Sequence, residues 1–553
     1  MKKSLFTLLA GAAALATGFH PATARADAFT FGVMADTQQT VTGGTNSVAT
    51  GIISEVNKQF NAAGVDFVVQ VGDLTDTGSL AGLQSRLDAN AGKISGVTGL
   101  NSPFYALRGN HEDSGYSSGV AGDTGFFQTN YIPTSSTGVN VQVAPDNLSY
   151  AVTYKNTKIV MLDINTSYYT STLDSVTNWM SNTGNTGVLQ GTDHTQAFVF
   201  EHKNLLGQNH KDNEFGSGND SNPTQQNAFF AALAGNNVKY DISGHDHMDH
   251  RSIVTSPDGQ NKVQEIISQS DSTKFYTSST GFSTREQSVS DQQNMIGYYT
   301  YTVDGPRVTG KYYATPVVNN TVGTNPTWTL QDTFGYSLNG KQVTVARGTS
   351  TLSNDAANGS YKGITDNTDK AKSMASTYGE NGYVGTLMTI LDGSNSTTAT
   401  AEGSRACADD LNTGWAPKTA GTKSDILSLW GMNNALGSGQ TDTFVLSLHV
   451  DPATLLLDPS KDYLGYLNSN GVWVNAVDGN FGAQTPTFVD GAYVTGMALG
   501  TYGINTADNT AWAVINHNSD FAAVPEPGTN ALIALAVAAL AGLHLRNRRK
   551  ANA

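Results

Sequence analysis

The stretch Gly244-His245-Asp246-His247-Met248-Asp249-His250 packs three imidazoles and two carboxylates into seven residues. Side chains of these types at this density are metal ligands or proton carriers. Four more clusters lie upstream: Asp36-Thr37-Gln38, Gly72-Asp73, Gly109-Asn110-His111-Glu112 and His202. Taken singly, each reads as a turn or a structural histidine. Together they offer donors suited to divalent cations, namely carboxylates, carboxamides and imidazoles. A carboxylate such as Asp73 has two oxygens and can join two cations about 3.5–4 Å apart. Two such cations lower the pKa of a shared water, so that hydroxide forms at neutral pH, and they clamp the oxygens of a phosphate.

Each cluster follows a predicted strand. "FTFGVMADTQ" places Phe31, Val33 and Met34 in a short buried strand that ends in Asp36. "DFVVQVGDLTD" is apolar from Phe67 to Val71 and runs into Gly72-Asp73, and "FYALRGNHED" repeats the pattern up to Asn110-His111. Between the first two strands, Ile52, Ile53, Val56 and Phe60 recur at helical spacing. Strand, helix, strand with polar groups at the carboxyl ends is an α/β sheet with a site at its strand tips. "YAVTYKNTKIVMLDIN" reads as an antiparallel hairpin turning at Asn156, and "TQAFVFEHKN" as a strand ending in His202. "NPTQQNAFFAALAGNNV" reads as a helix capped by Asn222, with Pro223 near its start and Gly235 at its end. "KYDISGH" delivers His245, and the Tyr-rich hairpin "MIGYYTYTVDGPRVTGKYYA" closes the domain.

Two families match parts of this pattern. His245, His247, Asp249 and His250 spell H-x-H-x-D-H, which resembles the metal signature of metallo-β-lactamase-type hydrolases. That signature needs further ligands downstream, yet no histidine follows His250 until His449. It also leaves Asp36, Asp73, Asn110 and His111 unexplained. All five blocks, in order, resemble the calcineurin-like metallophosphoesterase family over residues 29–315. This resemblance implies an α/β fold, a four-layer αββα sandwich, with two divalent metals (Mn, Fe or Zn) at the sheet edge. By position, Asp36 and His247 hold the first metal with Gln38 beside them, and Asp73 bridges. Asn110, His202 and His245 hold the second. His111 binds no metal and sits over the scissile phosphate as the catalytic group. Asn110 and His111 face the substrate; Arg108 beside them, read from its position alone, either adds positive charge there or is a surface residue.

One position departs from the family. Its first block is usually Asp-x-His, and here it is Asp36-Thr37-Gln38. An amide oxygen is a harder and weaker donor than imidazole, which favours Mn²⁺ or Mg²⁺ over Zn²⁺. The same departure resembles the manganese-dependent ADP-ribose and CDP-alcohol diphosphatases. The second block, Gly72-Asp73-Leu74-Thr75-Asp76, lacks the Tyr ligand of purple acid phosphatases, and Asp76 is read as supporting rather than ligating. Asp249 and His250 are placed at the rim or on backbone, and His194 and His210 on the surface.

The chain has 553 residues, only 14 % of them charged, with 58 Gly and a formal charge of −15. This suits a β-rich exported protein and argues against a broad nucleic-acid surface. Lys2, Lys3, the apolar run 5–16 and Ala24-Arg25-Ala26 read as a signal peptide over 1–26. The single cysteine, Cys407, excludes an intramolecular disulfide. Val524-Pro525-Glu526-Pro527-Gly528, the apolar run 531–543 and the basic cluster Arg546, Arg548, Arg549, Lys550 resemble a PEP-CTERM sorting tail, placed at 523–553. That resemblance implies export, transient inner-membrane anchoring by a transmembrane segment, and removal by an exosortase-type enzyme. The apolar run is shorter than the ~20 residues that span a bilayer comfortably.

The expected order is a phosphoesterase domain over 27–315, a linker at 316–326 and an all-β, sandwich-like domain over 327–522, from its short alternating segments. The expected function is an exported dinuclear-metal hydrolase of small phosphate mono- or diesters, acting at the periplasm, cell surface or beyond. The alternative is a non-catalytic metal-binding protein of the cell surface or exopolysaccharide matrix.

Overall fold

The computed structural model describes residues 28–39, 46–113, 123–164, 169–277, 285–305, 307–317, 322–323, 325–338, 340–345, 351–353, 387–391, 405–407, 409–416, 418–419, 421–430, 441, 443–450, 461–468, 471–482 and 484–525. The expected signal peptide and the apolar and basic parts of the tail lie outside these residues. Among the described residues, no helix is long and apolar enough to cross a membrane.

The first part of the chain forms strands β1 (Phe29–Met34), β2 (Phe67–Val71), β3 (Phe104–Leu107), β4 (Val139–Val143), β5 (Tyr150–Tyr154), β6 (Thr157–Met161), β7 (Gln196–Phe200), β8 (Tyr240–Ser243), β9 (Asp249–Thr255), β10 (Lys262–Ile267), β11 (Glu286–Gln292), β12 (Met295–Asp304), β13 (Arg307–Pro316) and β14 (Thr329–Ser337). The helices are α1 (Thr50–Ala63), α2 (Leu80–Asn90), α3 (Asp123–Asn130), α4 (Tyr169–Met180) and α5 (Pro223–Gly235).

Two sheets stack face to face. One has the order β14-β13-β12-β1-β2-β3, and the other runs from β11 through β9-β10-β8-β7-β6-β5 to β4. Alternation decides what each face meets. Phe29, Phe31 and Val33 of β1 point inward, where they pack with Phe67, Phe198, Phe200, Tyr240 and Tyr301 between the sheets. Met34 and Val68 point outward and take Ile52, Ile53, Val56 and Phe60, the apolar stripe of α1. Leu173 and Val176 of α4 and Phe229, Phe230 and Leu233 of α5 cover the second sheet's outer face. The result is the expected four-layer αββα sandwich. Its inner core is aromatic, with Phe31 stacked on Phe67 at 5.1 Å and on Tyr301 at 5.2 Å.

Strands β1, β2 and β3 are parallel, as are β6, β7 and β8. The hairpin over Tyr150–Met161 forms as expected. Asn222 precedes α5 in a left-handed conformation and makes no side-chain cap; Pro223 sets the start instead.

The composition-based boundary does not match the pairing. β14 joins β13 as the edge of the first sheet, so that sheet continues past residue 316. The short strand Arg405–Cys407 pairs with β11. β13 and β14 pair antiparallel, and turn composition alone does not separate the connection between them from a linker.

Beyond β14, two six-stranded sheets form a sandwich. In order, one holds Gly340–Val345, Asp409–Ala416, Ile426–Trp430, Ser519–Pro525, Asp462–Leu467 and Trp473–Asn475. The other holds Thr351–Ser353, Leu387–Ile390, Phe444–His449, Thr510–Ile515, Thr501–Asn505 and Thr487–Asp490. Leu427, Leu429, Phe444, Leu446, Ile515 and Phe521 fill the space between them. Arg307 at the start of β13 donates to Asp520 of the sandwich at 2.6 Å, tying the two parts together.

Candidate metal centre

The five predicted clusters converge at the carboxyl ends of β1, β2, β3, β7 and β8. Asp36 N–H donates to Gly72 O, and Gly244 N–H to His202 O, so the loops hold one another. Asp36, Asp73, His245 and His247 all have positive φ, from 44° to 68°. Besides asparagines, only two other non-glycine residues among those described share this conformation, Ser47 and Lys155. Each such residue costs about 1–3 kcal/mol, and such strain gathers at functional sites. Gly72 shows why the motif needs glycine. Its φ is +74°, and a Cβ there would stand 2.3 Å from His202 Nδ1.

Two groups of donors face Asp73 from opposite sides. Ligand atoms of Asp36, Asp73 and His247 all lie within 4.8 Å of one another. His247 Nε2 is 3.3 Å from Asp36 Oδ1. On the other side, His202 Nε2 is 3.2 Å from Asp73 Oδ1 and 3.0 Å from Asn110 Oδ1. His245 donates its backbone N–H to Asp36 Oδ1 at 3.2 Å, and its ring lies 5.1 Å from that of His202. Its Nε2 is 3.6 Å from Asp212 Oδ2, an acid that no motif singled out.

The donor set fits divalent cations. Asp36 Oδ2 is buried with no hydrogen-bond partner, and buried His245 Nε2 has none within hydrogen-bond distance, Asp212 Oδ2 standing 3.6 Å away. Buried polar atoms are almost always paired, so two orphaned ligand atoms at one rim suit a bound ion. The imidazoles are also oriented for it. His247 Nδ1 lies 2.6 Å from Lys274 O, His202 Nδ1 3.1 Å from Val71 O, and His111 Nδ1 2.6 Å from Asp76 O. An Nδ1–H donated to backbone turns each Nε2 towards the centre. The neighbouring His202 and His111 rings outweigh burial and hold the Asp73 carboxyl well below the usual carboxylate range. Burial pushes His202 down, but Asp73 outweighs it and holds His202 at about 9 without metal. A cation held by His202 would have to compete with that proton.

Gln38 is in place but turned. Its Nε2 lies 2.5 Å from Asp73 Oδ2 and 3.3 Å from His247 Nε2, while its Oε1 accepts from Lys274 Nζ at 3.0 Å. The amide oxygen expected to face a metal faces an ammonium. His111 sits with Nε2 3.8 Å from Asp73 Oδ2, and its backbone N–H donates to Asp73 Oδ1 at 3.1 Å. Arg108, expected beside the phosphate, is 4 % exposed and grips Asp163 with two bonds of 2.7 and 3.0 Å. Its charge fixes the loop that carries Asn110 and His111.

Several supporting residues escaped sequence reasoning. Glu112 accepts from Thr75 N–H with one oxygen and Gly109 N–H with the other, both at 2.9 Å, and so clips two ligand loops together. Burial and the nearby Asp73 carboxylate raise its pKa to about 7. Asp246 accepts from the backbone of Gln208, Asn209 and His210 and from His210 Nδ1. This corrects the placement of His210, whose ring lies 4.3 Å from that of His245 and only partly meets solvent. Asp249 and His250 are not at the rim. Asp249 accepts from Tyr299 Oη at 2.6 Å, and His250 Nε2 lies 2.5 Å from Glu286, all deep in the fold. The acid between two histidines was the one visible signal for Asp246.

Comparison with known proteins agrees with this geometry. Residues 29–249 match the calcineurin-like phosphoesterase family, and residues 523–550 the PEP-CTERM protein-sorting motif. The chain therefore carries a calcineurin-like phosphoesterase domain and a sorting tail that implies export and exosortase processing. No curated protein matches the chain. Among solved structures, it is similar to GAP50 of Plasmodium, described as the anchor in the inner membrane complex (11 % identity, 52 % of this chain and 84 % of that one, TM-score 0.33). It is also similar to purple acid phosphatase PPD1 from yellow lupin (13 %, 56 % and 54 %, TM-score 0.37). A dimetal phosphatase from Danio rerio follows (16 %, 51 % and 95 %, TM-score 0.30).

Proposed function

We propose that this protein is an exported hydrolase of small phosphate mono- or diesters that works with two divalent cations. The observation that carries this reading is the placement of Asp73. One oxygen faces His202 and the other faces Gln38, between two sets of donors. Asp36, Asp73 and His247 would hold one cation, and Asp73, Asn110, His202 and His245 the other. When bound, such a pair lowers the pKa of water and neutralises charge on phosphate oxygens.

The chain's own groups do the rest. His111 keeps its Nδ1 on Asp76 O, so its Nε2 is the edge turned to the centre, where it can hand a proton to the departing oxygen or stabilise developing charge. Asn110 orients a phosphate oxygen, and Arg108 holds the loop through Asp163. The absence of an imidazole at position 38 leaves the set at three oxygen-donor residues and three imidazoles, a mixture that accepts Mn²⁺ as well as Zn²⁺. We read the sorting tail as a temporary membrane hold, after which the processed protein works in the periplasm, at the surface or in the surrounding matrix.

The test is turnover of aryl and bis-aryl phosphates by the Mn²⁺-loaded protein. Loss of that turnover in Asp73→Asn and His111→Ala supports the enzyme. Bound metal without turnover across a broad ester panel refutes it and favours a metal-binding scaffold.

A further inference from the structure

The contact between Lys274 and Gln38 has consequences for the metal on that side. Lysine has three donors and no acceptor. Its Nζ lies 3.0 Å from Gln38 Oε1, so the amide must present oxygen to Lys274. The NH₂ then points the other way, at Asp73 Oδ2 and His247 Nε2. His247 donates Nδ1–H to the carbonyl of Lys274 itself, so its Nε2 offers a lone pair. The NH₂ of Gln38 thus occupies the two lone pairs that the first cation would use. Rotating the amide by half a turn would offer its oxygen to the cation but would set NH₂ against the ammonium, donor against donor.

The geometry points to Lys274 as a positioning residue that locks the Gln38 amide in its donor orientation and so makes the first metal weakly held and exchangeable. The inference rests on the dinuclear reading above and adds which residue sets the inequality between the two sites. A second contact supports a fixed lysine. Its backbone N–H donates to Ser272 Oγ at 3.2 Å. The segment that carries it is also anchored, since Asp271 N–H donates to Ala35 O.

The experiment is Mn²⁺ titration followed by calorimetry and by electron paramagnetic resonance of free Mn²⁺, on full chain at one fixed pH. Lys274→Met removes the donor and keeps the stem. We expect the weaker site to tighten about tenfold, in line with release of one charge-assisted hydrogen bond, while the tighter site stays unchanged. Lys274→Gln, which can accept as well as donate, should tighten it too and serves if the Met variant does not fold. In a Gln38→Ala background there is no amide to orient, so Lys274→Met should then change nothing. An unchanged weak site in both Lys274 variants overturns the inference. So does equal tightening with and without Gln38, which would mean that the lysine acts by charge alone. If the wild-type chain and every variant bind no Mn²⁺, the dinuclear reading itself falls, which is a separate result.

Discussion

Gly109 offers the sharpest test of how closely the two ligand loops are fitted. Its φ is ordinary at −97°, so replacing it strains no backbone. Space alone decides. A Cβ at this position would stand 2.0 Å from Asp73 Oδ1, 2.3 Å from Asp73 N and 2.8 Å from Asp73 Cγ. Since real Cβ atoms essentially never approach within 3.0 Å, the Asp73 carboxylate must retreat by at least 1 Å in Gly109→Ala. Turning the Asp73 side chain does not relieve the clash, because its backbone nitrogen is also in the way. One of the two turns must move, and the Glu112 clip resists by bonding Gly109 and Thr75 together. Overpacking of this kind costs about 1–3 kcal/mol. A 1 Å displacement of a reacting group costs about 10²-fold in rate. We expect Gly109→Ala to fold, to carry less Mn²⁺ after gel filtration, and to turn over aryl phosphates about a hundredfold more slowly. Native metal content, a rate within about threefold of wild type and unchanged urea stability would refute the reasoning.

Other perturbations probe separate parts of the structure. His111→Gln should keep its metal by elemental analysis yet lose about 10²–10⁴ in turnover, because Nε2 faces the centre without ligating. Asp163→Ala strands the buried Arg108 guanidinium and should lower urea stability by about 3–5 kcal/mol. His250 is pushed down by burial, but Asp291 and Glu286 outweigh this and hold it at about 10. A raised folded pKa means that its contribution is complete below the unfolded value of about 6.5 and is lost as pH rises through about 10. Urea stability should therefore fall with pH across that window with a steepness of up to about 1.4 kcal/mol per pH unit, and His250→Gln should flatten the slope.

What could be read from the sequence follows from the physics of each feature. Strands β1, β2, β3 and β7 are short, largely apolar and, like the half-polar β8, closely followed by polar ligand types, so both strand and site position were visible locally. The interior faces of the sandwich were visible as alternation. Glu112 and Asp246 were visible inside their motifs, but their reach to Thr75 and to Gln208, Asn209 and His210 was not, and neither was Lys274, because these hydrogen bonds join residues far apart in the chain and have no local signature. Arg108 misled for the same reason. Its position next to Asn110 suggested a phosphate contact, whereas its partner Asp163 lies in another loop. Gln38 was visible as a departure, but the direction of its amide depends on Lys274, 236 residues later. The membership of β14 depended on strand pairing, which turn composition does not encode.

The final described strand, Ser519–Pro525, lies between Ile426–Trp430 and Asp462–Leu467, and its last three residues already belong to the sorting motif. Severing the chain after Pro525 leaves this plank seated between its two neighbours. Severing it a few residues earlier would draw a middle plank from the sandwich. Removal of the tail beyond Pro525, as the sorting motif implies, would keep every rung up to that between Asp462 and Pro525.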